Sequence, residues 1–302
     1  MYHVSRINEA EASVPKHYEG HVRGYRRQVL VDKSVGSPHM NMAAVWLDAG
    51  GRVSPVVHSY EWSLYLFTGE VVVTMLGQRI TLTADHCIVI PIGVEYAIDG
   101  IAPSSSWLQC SAPAELDDSH RRDTFFTGGE LEAGAAAAFD LRDPRNKHAF
   151  RFDQSSMDLA TLAVGSLVNA PSVSASMATA LLAYSGIGVR MLVDQRVGAQ
   201  LHTMFMVHYQ PTAIAHPHDH PFEETYVFTA GEVTALVEGR EMVLGPGDVL
   251  WCGVGSDHGF HNPGPGHVQW IETQSPQPPA QHSYRFNRDW EYLEQKLDHP
   301  HD

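Results

Sequence analysis

The sequence predicts an all-β protein built from two tandem copies of one module. Two observations carry this. Residues 49–96 align without a gap on residues 211–258, a shift of 162, with nine identities in 48 positions. Both copies also break into short aromatic and β-branched runs separated by Gly, Asp and Pro, the rhythm of a β-sandwich or small barrel.

The elements follow in order. Trp62 to Phe67 and Thr225 to Thr229 are apolar and β-branched runs that lead to Gly69 and Gly231. Val71 to Leu76 and Val233 to Val237 come next. Gly77-Gln78 and Gly239-Arg240 stand where a tight hairpin is wanted, because glycine tolerates positive φ. Ile80 to Thr83 and Glu241 to Leu244 are return strands, and Gly245-Pro246-Gly247-Asp248 is a turn. Cys87 to Ile90 and Val249 to Cys252 close each copy. Ile187 to Val193 reads as the first strand of the second module.

Between the copies the composition shifts. Gly128 to Phe139 is low in complexity and reads as linker with a short helical part, and residues 166–180 are small and polar. The expected domains are residues 1–126, a linker over 127–180, and residues 181–302. The tail after Ile271 is rich in Pro and Gln. It ends in an expected short C-terminal helix, Arg288 to Lys296, with Trp290, Leu293 and Leu297 on its apolar side.

Bulk properties exclude several classes. The net charge of −15 disfavours nucleic-acid and anionic-membrane partners. No stretch of 18 apolar residues is present, and the N-terminus has no charged-then-apolar leader, so a cytoplasmic location is expected. The three cysteines, Cys87, Cys110 and Cys252, have no paired spacing and read as reduced thiols.

The chemistry is concentrated in the run His216-Pro217-His218-Asp219-His220-Pro221-Phe222-Glu223-Glu224, with His258 downstream. His218 and His220 alternate around Asp219, so both imidazoles point to one side of an extended segment. Three imidazoles and a carboxylate suit a divalent first-row metal and leave coordination positions open. The set holds no thiolate, so Fe(II), Mn(II), Ni(II), Zn(II), Co(II) and Cu(II) all satisfy it.

These residues resemble the two motifs of the cupin superfamily. His218-x-His220-x3-Glu224-x6-Gly231 matches the first, and Gly247, Gly255, His258 and Asn262 match the second, with Gly253 in place of its Pro. The resemblance covers both modules and implies a bicupin, two jelly-roll barrels each around a central pocket. It implies His218, His220, Glu224 and His258 as metal ligands, in preference to His216 and Glu223. In the first copy the four ligand slots hold Val56, His58, Trp62 and Tyr96. That module is expected to lack a metal and to serve structure, oligomerisation or cover.

Other residues are expected to line the second pocket. His202, Met204, Met206 and His208 share one strand face. Tyr226 and Phe228 follow Glu224 at strand spacing. Tyr226 and His208 are the expected catalytic residues, Tyr226 as hydrogen-bond donor to a metal-bound oxygen. Trp251, Phe260, His261, Gln269 and Trp270 lie close to the second motif, and Asn262 reads as a turn residue. Asp219, Glu223, Asp248 and Asp257 could hold the distal nitrogens of ligand histidines, although Glu223 and Asp219 read as solvent-facing.

The resemblance implies a metal-dependent enzyme, first a non-haem Fe(II) or Mn(II) dioxygenase of a small organic metabolite, with Ni(II) and Zn(II) as further metals. A second reading is a non-redox hydrolase, decarboxylase, lyase or isomerase. Its layout is similar to ureidoglycine aminohydrolases, which however order their ligands as Glu, His, His and Gln. A third is a small-molecule binding protein. A homodimer or larger homo-oligomer is the expected assembly.

Overall fold

A computed structural model describes residues 1–101, 103–116, 122–140, 142–157, 186–277 and 285–286. The expected C-terminal helix, the segment 166–180 and the expected boundary at 180/181 lie outside the described residues. Strands dominate throughout, and the only helices among the described residues are single 3-10 turns. None is long and apolar enough to cross a membrane.

The first compact unit comprises residues 7–152 and 192–202. Its strands are β2 (Val22–Val31), β3 (Asn41–His58), β4 (Glu61–Thr68), β5 (Glu70–Met75), β6 (Gln78–Thr83), β7 (His86–Ile90), β8 (Tyr96–Gly100), β9 (Ser104–Ala112), β10 (Thr124–Phe126), β11 (Ala137–Ala138) and β12 (Ala149–Arg151). The 18-residue β3 bends and pairs with β2, β8, β9 and β10, which joins these strands into one 11-stranded sheet. Trp62, Leu64, Leu66, Val71, Val73, Tyr96 and Trp107 meet in its core.

The second unit comprises residues 1–6, 153–191 and 203–302. It holds β1 (Tyr2–Arg6), most of β13 (Ile187–Val193), β14 (Thr203–Tyr209), β15 (Ile214–Asp219), β16 (Glu223–Ala230), β17 (Val233–Val237), β18 (Arg240–Leu244), β19 (Asp248–Cys252), β20 (His258–His261), β21 (Val268–Ser275) and β22 (Arg285–Phe286). One sheet runs β1-β19-β16-β21-β14-β13 and the other β18-β17-β20-β15-β22. Their facing sides enclose Phe205, Val207, Tyr209, Tyr226, Phe228, Leu250, Phe260 and Trp270.

The 162-residue shift relates the strands of the two units one by one. β4 maps on β16, β7 on β19, and the start of β8 on the start of β20. The repeated glycines have a steric cause. A Cβ on Gly231 would lie 2.4 Å from the His267 carbonyl oxygen, and one on Gly69 would lie 2.4 Å from that of Ser104, both at positive φ. The hairpins centre one residue earlier than the sequence suggests. Leu76-Gly77 and Glu238-Gly239 both have two consecutive positive φ values, the signature of type I′ turns.

Two boundaries differ from expectation. Residues 127–152 are not linker but belong to the first unit, because Ala149–Arg151 pairs with β7 and Ala137–Ala138 with β6. The alanine-rich segment is strand and irregular chain rather than helix. Met1–Arg6 belongs to the second unit, where Tyr2 pairs with Cys252 and Arg6 with Asp248. In each unit a short strand thereby covers an otherwise open edge, that of β7 or β19.

Candidate metal centre

His218 and His220 come from β15 and the turn after it, His258 from the start of β20, and Glu224 from β16. β15 and β20 are hydrogen-bonded neighbours with His218 directly opposite His258. The ring nitrogens of His218, His220 and His258 lie within 4.8 Å of one another. All four side chains are buried, Glu224 and His258 completely.

The hydrogen bonds fix the tautomers. Nδ1 of His218 donates to the His216 carbonyl at 2.7 Å, Nδ1 of His220 to that of Phe222 at 3.0 Å, and Nδ1 of His258 to that of Ser256 at 2.9 Å. A carbonyl can only accept, so each Nδ1 carries hydrogen and each neutral ring presents an Nε2 lone pair. Glu224 Oε2 lies 2.7 Å from His220 Nε2 and 3.3 Å from His258 Nε2. Acceptors packed this closely must share a proton or a metal cation between them. The donor set therefore fits a divalent metal, and backbone carbonyls supply the orienting contacts of a metal-ligating histidine.

Electrostatics agree with this. Burial, with His258 beside it, pushes His218 down to about 3, so it stays a neutral donor. Burial alone would lower His220, but the Glu224 carboxylate outweighs that and raises it. Burial likewise opposes ionisation of Glu224, yet the His220 and His258 rings hold it well below the usual carboxylate range.

Tyr226 enters the site as the strand spacing predicts. Its hydroxyl donates to Glu224 Oε2 and lies 2.8 Å from His258 Nε2. Burial and then Glu224 push its ionisation well up, so the phenol keeps its proton. Phe228, Phe260 and Trp270 pack around it.

Several expected contributors are placed elsewhere. His208 is corrected: Phe205, Val207 and Tyr209 of β14 face the interior, so His208, Met204 and Met206 face the opposite way by strand alternation. The His208 ring stacks on His267 at 4.8 Å. His202 belongs to the first unit, where it pairs with Glu61 at 2.7 Å and Ser63 Oγ at 2.7 Å. Glu223 is not solvent-facing but fully buried, accepting from Trp251 Nε1 at 3.0 Å. The expected acidic neighbours do not hold the histidines' distal nitrogens, because backbone carbonyls do. Asp248 instead pairs with Arg6. His216 contributes its carbonyl to the site. Asn262 ties turns together through Gln210 O at 2.9 Å and Gly266 O at 2.8 Å.

Two residues of β21 were not anticipated. Gln274 Nε2 donates to Glu224 Oε1 at 2.6 Å and contacts Glu272 Oε1 at 3.4 Å. Glu272 also accepts from Trp270 Nε1 at 3.1 Å, and burial together with Glu224 holds its carboxyl well above the usual range. The alternation Val268, Trp270, Glu272, Gln274 would have placed both on Tyr226's face, had the strand not been ended at Ile271.

In the first unit the equivalent position is filled. His58 Nε2 meets the Tyr96 hydroxyl at 2.9 Å and Nδ1 meets Thr124 Oγ1 at 3.1 Å. Trp62 stacks on Tyr96 at 5.1 Å. Both imidazole nitrogens are engaged, and Val56 and Trp62 supply no ligand atom.

Comparison with known proteins agrees with this architecture. Residues 205–273 match the cupin domain family. No curated protein sequence matches the chain. Oxalate decarboxylase from Bacillus subtilis superposes with a TM-score of 0.63 at 12% identity, covering 98% of this chain and 82% of that one. Oxalate decarboxylase from Lactobacillus farciminis gives 0.64 at 14%, covering 98% and 92%. Salicylate 1,2-dioxygenase from Pseudaminobacter salicylatoxidans gives 0.64 at 12%, covering 82% and 76%. Identities this low speak for the fold, and the motif residues speak for the second barrel. Residues 205–273 match the cupin domain family, and the chain as a whole shares the fold of these structures.

Proposed function

We propose that the second barrel is the active site of a metal-dependent dioxygenase acting on a small organic acid. The observation that carries this is the convergence of three Nε2 lone pairs and the Glu224 carboxylate in a buried, aromatic-walled interior. His218, His220, Glu224 and His258 would hold the ion, with Fe(II) or Mn(II) favoured and Ni(II) or Zn(II) as further candidates. When bound, such an ion supplies open coordination positions for substrate and O₂.

The substrate class follows from charge. A divalent ion with Glu224 leaves one positive charge uncompensated. Among the described residues, no Lys or Arg of this unit is buried. A singly ionised carboxylate or phenolate would neutralise that charge in the low-dielectric interior. Phe228, Phe260 and Trp270 suit a partly apolar or aromatic body. Tyr226 holds a proton 2.8 Å from His258 Nε2 and is placed to donate it to an oxygen of the bound acid.

A second reading rests on a different observation. Tyr226 and Glu272 are two buried groups beside Glu224 whose ionisation burial disfavours, and a lyase or hydrolase needs proton donors. The two oxalate decarboxylases and the salicylate dioxygenase found by structure span both chemistries. Purified protein, stripped and reloaded anaerobically with Fe(II) or Mn(II), is tested against aliphatic and aromatic carboxylates. Oxygen uptake stoichiometric with substrate supports the dioxygenase. Carbon dioxide or ammonia release without net oxygen uptake establishes the second reading, and no turnover with any metal removes both.

A further inference from the structure

The second barrel places a polar side chain behind Gln274, one strand further from the metal centre. Thr203 begins β14 and shares the interior face of Phe205, Val207 and Tyr209 by alternation. It lies directly opposite Gln274, which lies directly opposite Glu224, so the three form one row across β14, β21 and β16. All three are buried. A hydroxyl in such a place needs a partner, and Thr203 Oγ1 donates to Gln274 Oε1 at 3.3 Å.

Chemistry fixes the direction of this chain. An ionised Glu224 can only accept, so Gln274 turns Nε2 toward it, at 2.6 Å. Oε1 then faces the other way, where Thr203 commits its one hydroxyl hydrogen. The reversed amide would set Oε1 against the carboxylate. Donation into Oε1 also polarises the amide and strengthens donation from Nε2.

The first unit supplies an internal comparison. Its corresponding row is Asn41, Ser111 and Trp62, paired in the same order across β3, β9 and β4. Trp62 offers no carboxylate, and the row serves Glu115 instead. Ser111 Oγ donates to Glu115 Oε1 at 2.9 Å, and Asn41 Oδ1 accepts from the Glu115 backbone N–H at 3.0 Å. The Thr–Gln chain thus stands behind the slot that holds a carboxylate and not behind the slot that holds an indole.

We propose that Thr203 is a positioning residue of the metal centre, setting the Glu224 carboxylate through the Gln274 amide so that Oε2 is left for the ion. This rests on the metal-dependent reading of the second barrel, whichever reaction that barrel performs.

The test titrates full-length, metal-stripped protein with Mn(II) against a competing chelator. Thr203→Val keeps the shape and removes the hydroxyl hydrogen, and is expected to weaken binding about tenfold. Thr203→Ser restores the hydroxyl and should bind as the parent does, an outcome that a purely packing role would not give. In a Gln274→Leu background, Thr203→Val should cost nothing further, because the link between them is already cut. If Thr203→Val does not fold, Thr203→Ala against Thr203→Ser reads the same hydroxyl. The proposal is overturned if Thr203→Val binds Mn(II) as the parent does, if Thr203→Ser falls as far as Thr203→Val, or if the loss adds in full to that of Gln274→Leu. Mn(II) uptake that Glu224→Ala leaves untouched would instead remove the metal centre itself, and this proposal with it.

Discussion

Gln274 Nε2 donates to Glu224 Oε1 at 2.6 Å, while Glu224 Oε2 faces the His220 and His258 rings. One carboxylate oxygen is thus held by β21 and the other is left for the site. Gln274 itself is fixed by its register opposite Glu224. It acts as a positioning residue, setting the carboxylate's orientation from outside the ligand set.

Gln274→Leu keeps the side-chain size and removes the donor. The expected outcome is a tenfold to hundredfold loss of metal affinity, about the usual effect of losing an orienting contact to a ligand. A chelator-competition titration measures it. Unchanged affinity would show that Glu224 is oriented without Gln274.

Tyr226→Phe tests whether the phenol is chemistry or packing. The ring contacts with Phe260 and Trp270 survive the change, so fold and metal content are expected to persist. Turnover should fall about a hundredfold or more if the hydroxyl delivers a proton. Equal activity at equal metal occupancy would assign Tyr226 to packing alone.

The sequence disclosed the four-donor cluster because its information is local. His218 and His220 share a side through alternation, and Gly231 fixes the register of Glu224 by tolerating no Cβ against His267 O. The same parity rule, applied with the wrong face as origin, sent His208 inward when Phe205, Val207 and Tyr209 hold that face. Glu272 and Gln274 were hidden because a segment leading into Pro and Gln reads as tail, whereas its pairing with β14 and β16 extends it as strand to Ser275. The placement of Met1–Arg6 on β19 is a long-range pairing that no local pattern encodes.

Metal binding should be pH-dependent, with a sign set by His220. Its pKa is raised by Glu224, so at pH values below it the metal-free protein carries a proton on His220 Nε2, 2.7 Å from Glu224 Oε2. An ion must displace that proton, whereas His218, held at about 3, has none to lose near neutrality. Below the His220 pKa the apparent affinity should therefore fall about tenfold per pH unit, and above it become flat. Proton release on loading, measured calorimetrically in buffers of different ionisation enthalpy, should approach about one per site in the sloping range. A flat profile through this range would place the proton elsewhere.

Adjacent glutamates should separate function from stability. Glu224 faces the interior with Tyr226, while Glu223 points to the other side of β16 and accepts the Trp251 indole N–H at 3.0 Å. Glu224→Ala removes a ligand, so elemental analysis should find the metal lost while β-sheet circular dichroism persists. Glu223→Ala leaves a buried indole N–H unsatisfied and should cost about 1–3 kcal/mol of stability. Its metal content should match the parent's, since nothing facing the three histidines has changed. If Glu223→Ala instead lost the metal at unchanged melting temperature, the two carboxylates would have to exchange roles, and the strand register of β16 against β19 and β21 would be wrong by one residue.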